Sequence, residues 1–436
     1  MVLKERYEDL LRCSRCSYCK FIPLGLVWDK DFSYGCPSIS YKNFHAYSAS
    51  GRVITSIALL QNRLELSDTL VDVAFECLTC GSCHVTCHIN KIHIEPREVI
   101  IDLREYLVEK GFVSDQHRVI IEWLRKEDNM MQKPKKDRGK WAEGLNVKDL
   151  TKEHADVLFH AGCRYSYDEE LWPIVRGCIE LLREVGIDVG IMGAEEACCG
   201  VRALELGFRG EFSKYAEHNV ELWKTKGIKT VITPCAECYH AFVYRYPEKW
   251  NKRIGIEVFH ITQFFDKLVK EGKLKLERPI RMKVAYHDPC HLGRLGEPYE
   301  PWTGKRKKIR NQIPVWDPPK PRKIGIYGVY NEPREVLKSI PGLELVEMKR
   351  IKEYAWCCGG GGGAKEYDPE FSLWTANKRI EEAKFVGAEA IVTACPWCKR
   401  NFIDALQKSK SDMKVYDIIE LVLKSALGIR SSAVKK

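Results

Sequence analysis

Residues 353–368 read EYAWCCGGGGGAKEYD. Two adjacent cysteines, Cys357 and Cys358, run into five consecutive glycines. Neighbouring cysteines do not readily close an unstrained disulfide with each other, because the bond needs its two Cα atoms well separated and specifically oriented. Five glycines weaken any helix or strand they sit in. What they allow is close approach of the backbone to something bulky. The pair therefore reads as holding a metal cluster, with the glycines packed against it and leaving room for a substrate. A phosphate loop is one rival for GGGGGAK, but no Lys-Ser/Thr follows at the required spacing. A flexible surface linker is the other.

The stretch has a counterpart upstream. EEACCG at 195–200 answers YAWCCG at 354–359, VLFHAGC at 157–163 answers VAYHDPC at 284–290, and VITPCAECYHAF at 231–242 answers IVTACPWCKRNF at 391–402, so the chain carries an internal duplication. Each copy holds one Cys, a Cys-Cys-Gly and a C-x-x-C. The first set is Cys163, Cys198, Cys199, Cys235 and Cys238; the second is Cys290, Cys357, Cys358, Cys395 and Cys398. Cys163 and Cys290 lie 127 positions apart, but Cys198 and Cys357 lie 159 apart, so the second copy has 159 − 127 = 32 extra residues in that interval. The basic, proline-containing stretch LGEPYEPWTGKRKKIRNQIPVWDPPKPRK fits there, as an exposed loop and docking element.

DVLFHAG, KTVIT, KVAYH and EAIVT read as short buried strands ending near a cysteine. Helical patterns follow in CIELLREVG, ECYHAFVYRYP and CKRNFIDALQK. Strand–cysteine–helix units repeated in this way predict parallel α/β sheets, whose ligands bind beyond the carboxyl ends of the strands. Helix N-terminal N–H groups favour thiolate there, so the five cysteines of each copy can converge on one site.

Eight more cysteines lie ahead of the repeat. Cys13, Cys16 and Cys19 are followed by Cys36-Pro37; Cys77, Cys80 and Cys83 are followed by Cys87. C-x2-C-x2-C lets three thiolates of one short loop reach one cubane, and in two-cluster ferredoxins the fourth Cys serves the other cluster. That logic assigns Cys13, Cys16, Cys19 and Cys87 to one [4Fe–4S] cluster and Cys77, Cys80, Cys83 and Cys36 to a second. Sixteen residues separate Cys19 from Cys36, and His88 rather than Pro follows Cys87; the first departure suggests an inserted loop. Haem attachment through Cys80-x-x-Cys83-His84 and structural zinc are weaker readings of the same residues. Cys178 belongs to no set and reads as a buried inert thiol on an apolar-periodic helix.

The chain has 436 residues, 45% hydrophobic and 30% charged, a globular balance. It has 19 cysteines and no apolar h-region at its start. A cytoplasmic protein is expected, with thiols serving as ligands rather than disulfides, and any membrane contact made through a partner. The net charge of +10 is clustered at 132–140, 304–311, 319–323 and a terminal Lys-Lys. No nucleic-acid motif accompanies these clusters; they read as solvated loops or as a face for an acidic partner.

Two Cys-CCG-CxxC sets behind a two-cluster ferredoxin segment resemble the D subunit of heterodisulfide reductase and its relatives. HDPCHLGR at 287–294, NEPREVLKSIPGLELVEMKR at 331–350 and CCGGGGG at 357–363 carry the resemblance most closely. Its relatives include Fe–S subunits of sulfate-reducer membrane complexes, of glycolate oxidase and of anaerobic glycerol-3-phosphate dehydrogenase. The resemblance implies α+β and α/β architecture: a helical two-cluster ferredoxin domain, then two pseudo-symmetric α/β CCG domains. The boundaries expected are 1–128 for the ferredoxin part, 129–153 for a linker, 154–275 and 276–436 for the CCG domains, with the basic insertion at about 295–328.

The resemblance further implies that each complete set binds a non-cubane [4Fe–4S] cluster through all five cysteines, which cleaves a disulfide by taking a substrate sulfur onto iron. Reduction of a disulfide, or its reverse, is the activity expected, with Cys290, Cys357, Cys358, Cys395 and Cys398 at its centre. His160 and His287 precede Cys163 and Cys290 by three positions, and His291 follows Cys290. A near-neutral imidazole at His287 or His291 would suit proton delivery. A membrane haem b or quinone-reactive subunit, or a flavoprotein, is the expected redox partner. Two other readings stand beside this one: electron transfer for a flavin-dependent 2-hydroxyacid or glycerol-3-phosphate dehydrogenase, and a quinone-linked complex acting on a protein-borne disulfide or trisulfide.

Overall fold

Two all-parallel sheets repeat one plan. The first comprises β1 (Lys148–Asp149), β2 (Val157–Phe159), β3 (Val189–Ile191), β4 (Thr230–Thr233) and β5 (Glu257–His260), in the order β1-β3-β2-β4-β5. The chain continues through β6 (Met282–His287), an antiparallel hairpin of β7 (Lys305–Ile309) and β8 (Ile313–Asp317), then β9 (Leu343–Val346), β10 (Ala390–Thr393) and β11 (Lys414–Asp417). The second sheet runs β11-β10-β6-β9. Matching β2 with β6, β3 with β9, β4 with β10 and β5 with β11 superposes the two orders, and β1 is an added edge of the first sheet. The computed structural model describes residues 2–23, 25–27, 29–87, 94–310 and 313–426; the terminal Lys-Lys lies outside them.

The duplication extends to details that no sheet order requires. Each outer strand ends in a helix N-cap with a capping box: His260 with Gln263 and Asp417 with Glu420. At the ends of β2 and β6, His160 stands edge-on to Phe242 at 4.9 Å and His287 edge-on to Phe402 at 5.0 Å. The central strands are hydrophobic on both faces because helices cover both, as parallel sheets require. Those helices include Trp172–Glu184 in the first copy and Pro396–Ser409 in the second.

Ahead of the sheets the chain is helical. Ala49–Leu60, Asp68–Phe75, Pro96–Glu109 and Asp115–Glu127 are its longer helices. This is the expected mixed α+β and α/β architecture. Residues 129–153, read above as a linker, pack instead on the first sheet. Arg138 and Trp141 are buried, Trp141 lies 6.0 Å from the Phe159 ring, and β1 hydrogen-bonds along β3. The polar composition hid two side chains that anchor the segment.

One arginine ties the three parts together. Arg104, fully buried, donates from Nη1 to the carbonyls of Glu205 and Gly362 at 2.8 Å each, and from Nη2 to the carbonyl of Cys77 at 2.6 Å. Helix, first CCG domain, glycine run and ferredoxin loop therefore meet at one guanidinium, whose planar fork suits several carbonyls at once.

Candidate metal centres

Two cavities in the helical part gather the eight N-terminal cysteines in crossed fashion. Cys13, Cys16, Cys19 and Cys87 line the first, with Ala49, Val53 and Ile94; Cys36, Cys77, Cys80 and Cys83 line the second, with Leu78, Arg52 and Ile100. Each triplet is thus joined by the fourth cysteine that follows the other triplet. Burial pushes the Cys36 thiol up to about 12 and, with crowding by Cys77, Cys36, Cys80 and Cys19, lifts Cys83 further. Four thiols packed this closely repel as thiolates, which is the donor set a cluster of positive iron ions relieves. None of the 19 cysteines is in a disulfide.

The ten cysteines of the repeat lie at the carboxyl ends of the parallel strands. Cys235 and Cys395 stand two positions beyond the ends of β4 and β10 and are the N-caps of Ala236–His240 and Pro396–Ser409. Cys163 sits in the short helix Gly162–Tyr167 after β2, Cys290 in the turn after β6, and the Cys-Cys pairs in the loops after β3 and β9. All ten are buried. Within the first set the thiols neighbour one another in the order Cys163, Cys198, Cys199, Cys238, Cys235; within the second, Cys290, Cys357, Cys358, Cys398, Cys395. Cys238 Sγ lies where a Cβ on Gly162 would fall, at 2.9 Å, so the first loop is glycine where it meets a thiol. Five buried soft donors facing inward, without disulfides, fit an iron–sulfur group in each set.

The sets are not separate. Cys235 of the first stands against Cys395 of the second, and Cys357 also touches Cys80 of the ferredoxin part. Thiols therefore run without interruption from Cys80 through the second set into the first.

Close approach of backbone explains at least two of the five glycines. Gly362 has φ of 64°, and a Cβ there would stand 2.6 Å from the Leu78 carbonyl carbon. Gly359 has φ of 87°, with the Ser372 carbonyl oxygen 2.3 Å from a Cβ. Only glycine takes this conformation at such close approach. Leu78 and Cys77 of the ferredoxin loop stand against Gly361 and Gly362, and Ser372, Asn401 and Trp397 stand against Gly359 and Gly360.

The cysteine-rich domain model matches residues 157–243 and 322–403, and the 4Fe–4S dicluster domain model matches 9–91. The D subunit of the dihydromethanophenazine:CoB–CoM heterodisulfide reductase of Methanosarcina barkeri is 34% identical over 361 residues, 82% of this chain and 78% of that one. The chain belongs to the family of heterodisulfide reductase D subunits. It is an iron–sulfur redox protein carrying [4Fe–4S] clusters. An EtfAB:quinone oxidoreductase from Syntrophomonas wolfei is 28% identical over 87% of this chain but 52% of its own length. A hypothetical protein from Helicobacter pylori shares the fold, with a TM-score of 0.53 at 11% identity, covering 88% of this chain and 69% of that one. Among the described residues no helix is long and apolar enough to cross a membrane.

In this heterodisulfide reductase homologue the three histidines have different surroundings. His160 is fully buried with no hydrogen-bond partner on either nitrogen, and burial lowers it to about 4, so it is neutral. His287 accepts from Arg379 Nε at Nδ1, 3.2 Å away, and shares a cluster of ligand atoms within 4.8 Å with Cys358 and Cys398. With Nδ1 accepting, Nε2 carries the proton. His291 bridges Cys290 Sγ at 3.4 Å and Glu205 Oε1 at 2.8 Å. Burial opposes its charge, but the Glu205 carboxylate and the Cys290 thiolate win and raise it to about 10. The two anionic neighbours hold His291 toward its charged form, above the near-neutral range anticipated for it.

Two arginines that the sequence did not single out also face thiols. Arg138 places both terminal nitrogens 3.7 Å from Cys163 Sγ and is held there by Glu196. Arg294 donates to the Cys80 carbonyl at 2.7 Å, with Cys80, Cys290 and Cys357 around it. Arg138 lay in a basic run that looks solvated by composition; only its burial distinguishes it.

Proposed function

We propose that this chain reduces, or forms, a disulfide at its two five-cysteine sites, drawing single electrons through two cubane [4Fe–4S] clusters. Cys13, Cys16, Cys19 and Cys87 would hold one cubane, and Cys36, Cys77, Cys80 and Cys83 the other. Cys163, Cys198, Cys199, Cys235 and Cys238, and Cys290, Cys357, Cys358, Cys395 and Cys398, would each hold a non-cubane cluster. When bound, the clusters supply one-electron storage and iron that accepts a soft sulfur ligand. The uninterrupted thiol contact from Cys80 through Cys357 to Cys395 and Cys235 carries this reading, because it joins the ferredoxin part to both CCG sites.

The chain's own groups serve that chemistry. RSSR′ + 2e⁻ + 2H⁺ gives RSH + R′SH: the S–S bond breaks, each sulfur gains one electron and one proton. His291 and Arg294 stabilise thiolate at Cys290 and Cys357, and Arg138 does so at Cys163. His287, its Nδ1 fixed by Arg379, presents a proton beside Cys358. Buried guanidinium and imidazolium groups in a water-poor site favour negative charge there more than exposed ones would.

Electron paramagnetic resonance of anaerobic, mildly oxidised chain tests this, with and without coenzyme M or coenzyme B. A cluster signal that appears only with thiol supports sulfur binding at a CCG site. Its absence from a chain holding all its iron supports a second reading, that of an electron-transfer protein between a flavoprotein and quinone. Similarity to the EtfAB:quinone oxidoreductase favours that alternative.

A further inference from the structure

We infer that the outer edge of the first cubane site, with the basic β7–β8 hairpin beside it, is the landing surface for an acidic one-electron carrier protein. The inference rests on the proposal that Cys13, Cys16, Cys19 and Cys87 hold a cluster. Cys16 is the one exposed cysteine of the 19. Leu11 and Tyr18, half-exposed on either side in sequence, give the edge an apolar surface, and Arg15 beside Cys16 is exposed as well. Electrons that leave through Cys80 toward Cys357 start from the second cavity, so the first is the outer end of the line.

The hairpin is fixed to this edge. Arg306 Nη2 reaches Asp9 Oδ1 at 2.8 Å, and Arg12 approaches the same oxygen at 3.5 Å. Lys308 pairs with Glu8 at 2.9 Å. Asp9 is one turn before Cys13, whose N–H donates to the Leu10 carbonyl at 3.0 Å. The insertion expected as a free docking loop is therefore a strand pair docked on its own N-terminal helix. Glu8 and Asp9 are neutralised from within the chain, while Arg15, Lys305 and Arg310 face solvent in excess and Lys307 shares Asp317 across the hairpin. Exposed Ile309 adds an apolar contact between these cations.

A basic rim around an exposed redox edge steers an acidic partner into productive encounters. The cytoplasmic loops of a membrane-embedded protein are rich in Lys and Arg, and this hairpin would repel them. Anionic lipid would attract the cations but delivers no electron. At each encounter the carrier would give up one electron, which a cluster held by Cys13, Cys16, Cys19 and Cys87 would take up; two encounters would supply the pair that one disulfide consumes, with protons drawn from solvent.

The test uses the full chain with its clusters and a reduced acidic ferredoxin, with iron content measured in every preparation. Binding is followed by calorimetry between about 50 and about 300 mM NaCl, a range over which surface charges become screened. Cluster reduction is followed by stopped-flow absorbance. The Lys305→Glu/Arg310→Glu variant is expected to weaken Kd and slow reduction about tenfold or more at low salt, a span typical of electrostatic steering, and to flatten the salt dependence. Reduction by photoreduced deazaflavin should not change. Equal Kd for variant and wild type overturns the surface, as does binding to anionic phospholipid vesicles without binding to the carrier. Full iron with no carrier binding overturns the surface alone. A wild-type chain without iron at the first site overturns the cluster assignment and the surface with it.

Discussion

Cys235 and Cys395 hold equivalent positions in the two copies, and their thiols stand against each other. Each follows its strand, β4 or β10, as a helix N-cap. The copies therefore face one another through the carboxyl ends of their sheets, and their two sites form one region. Cys235→Ala should lower iron by about four per chain, one cluster's worth, and also change the thiol-dependent resonance of the second site. Loss of iron with an unaltered second-site signal would show that the two sites act independently.

Crossed ligation in the helical part has a separate signature. Cys87 lines the cavity of Cys13, Cys16 and Cys19, and Cys36 that of Cys77, Cys80 and Cys83. Cys36→Ala and Cys83→Ala should remove the same cubane, and Cys87→Ala and Cys16→Ala the other, as read by Mössbauer and resonance spectra. A pairing along the sequence, in which Cys36 completes the first triplet, reverses the grouping.

The glycine run makes a stability prediction with its own control. Gly362→Ala places a methyl group against the Leu78 backbone in a left-handed conformation. It should cost about 2–4 kcal/mol, the range of backbone strain added to a core clash. Gly387 also has positive φ, 73°, but nothing lies within 4 Å of its Cβ position. Gly387→Ala should cost only about 1 kcal/mol. Thermal melts of both variants that shift equally would remove the close approach as the reason for the glycines.

Much of this was legible because metal sites constrain sequence through spacing. Eighteen of the cysteines fall into sets whose geometry follows from strand ends and short loops, and the shared plan of the two sheets follows from the repeat. The glycine run was half legible. Its need for close approach could be read, but what approaches is Leu78, some 280 positions upstream, and no local pattern carries that pairing. Arg138 and Glu196 were not legible, because a buried ion pair and a solvated one have the same composition, and the backbone carbonyls that Arg104 binds leave no mark in the sequence at all. The hairpin looked like a free loop for a similar reason: its basic residues are as basic when they are bound to Glu8 and Asp9 as when they are free.

Asp417, itself no proposed ligand, offers a pH test. It is fully buried at the end of β11; Oδ2 accepts from Tyr165 at 2.7 Å and Oδ1 from the Ile419 N–H at 2.9 Å. Burial raises its carboxyl to about 7, and the hydrogen bonds and Lys399 recover only part of that cost. The unfolded value is about 3.9, so the folded chain holds the proton more tightly. Its stabilising contribution is complete below the unfolded value and is lost as pH rises through about 7. Asp417→Asn keeps an acceptor oxygen and removes the charge. The variant should lose the part of the pH slope between about 4 and 7 that Asp417 supplies, and be more stable by about 1–3 kcal/mol above that window. Comparing the slopes of thermal stability against pH isolates this residue from other buried groups. Parallel slopes would mean that Asp417 is ionised in the folded chain throughout that range, and that Tyr165 and the helix N-terminus outweigh its burial.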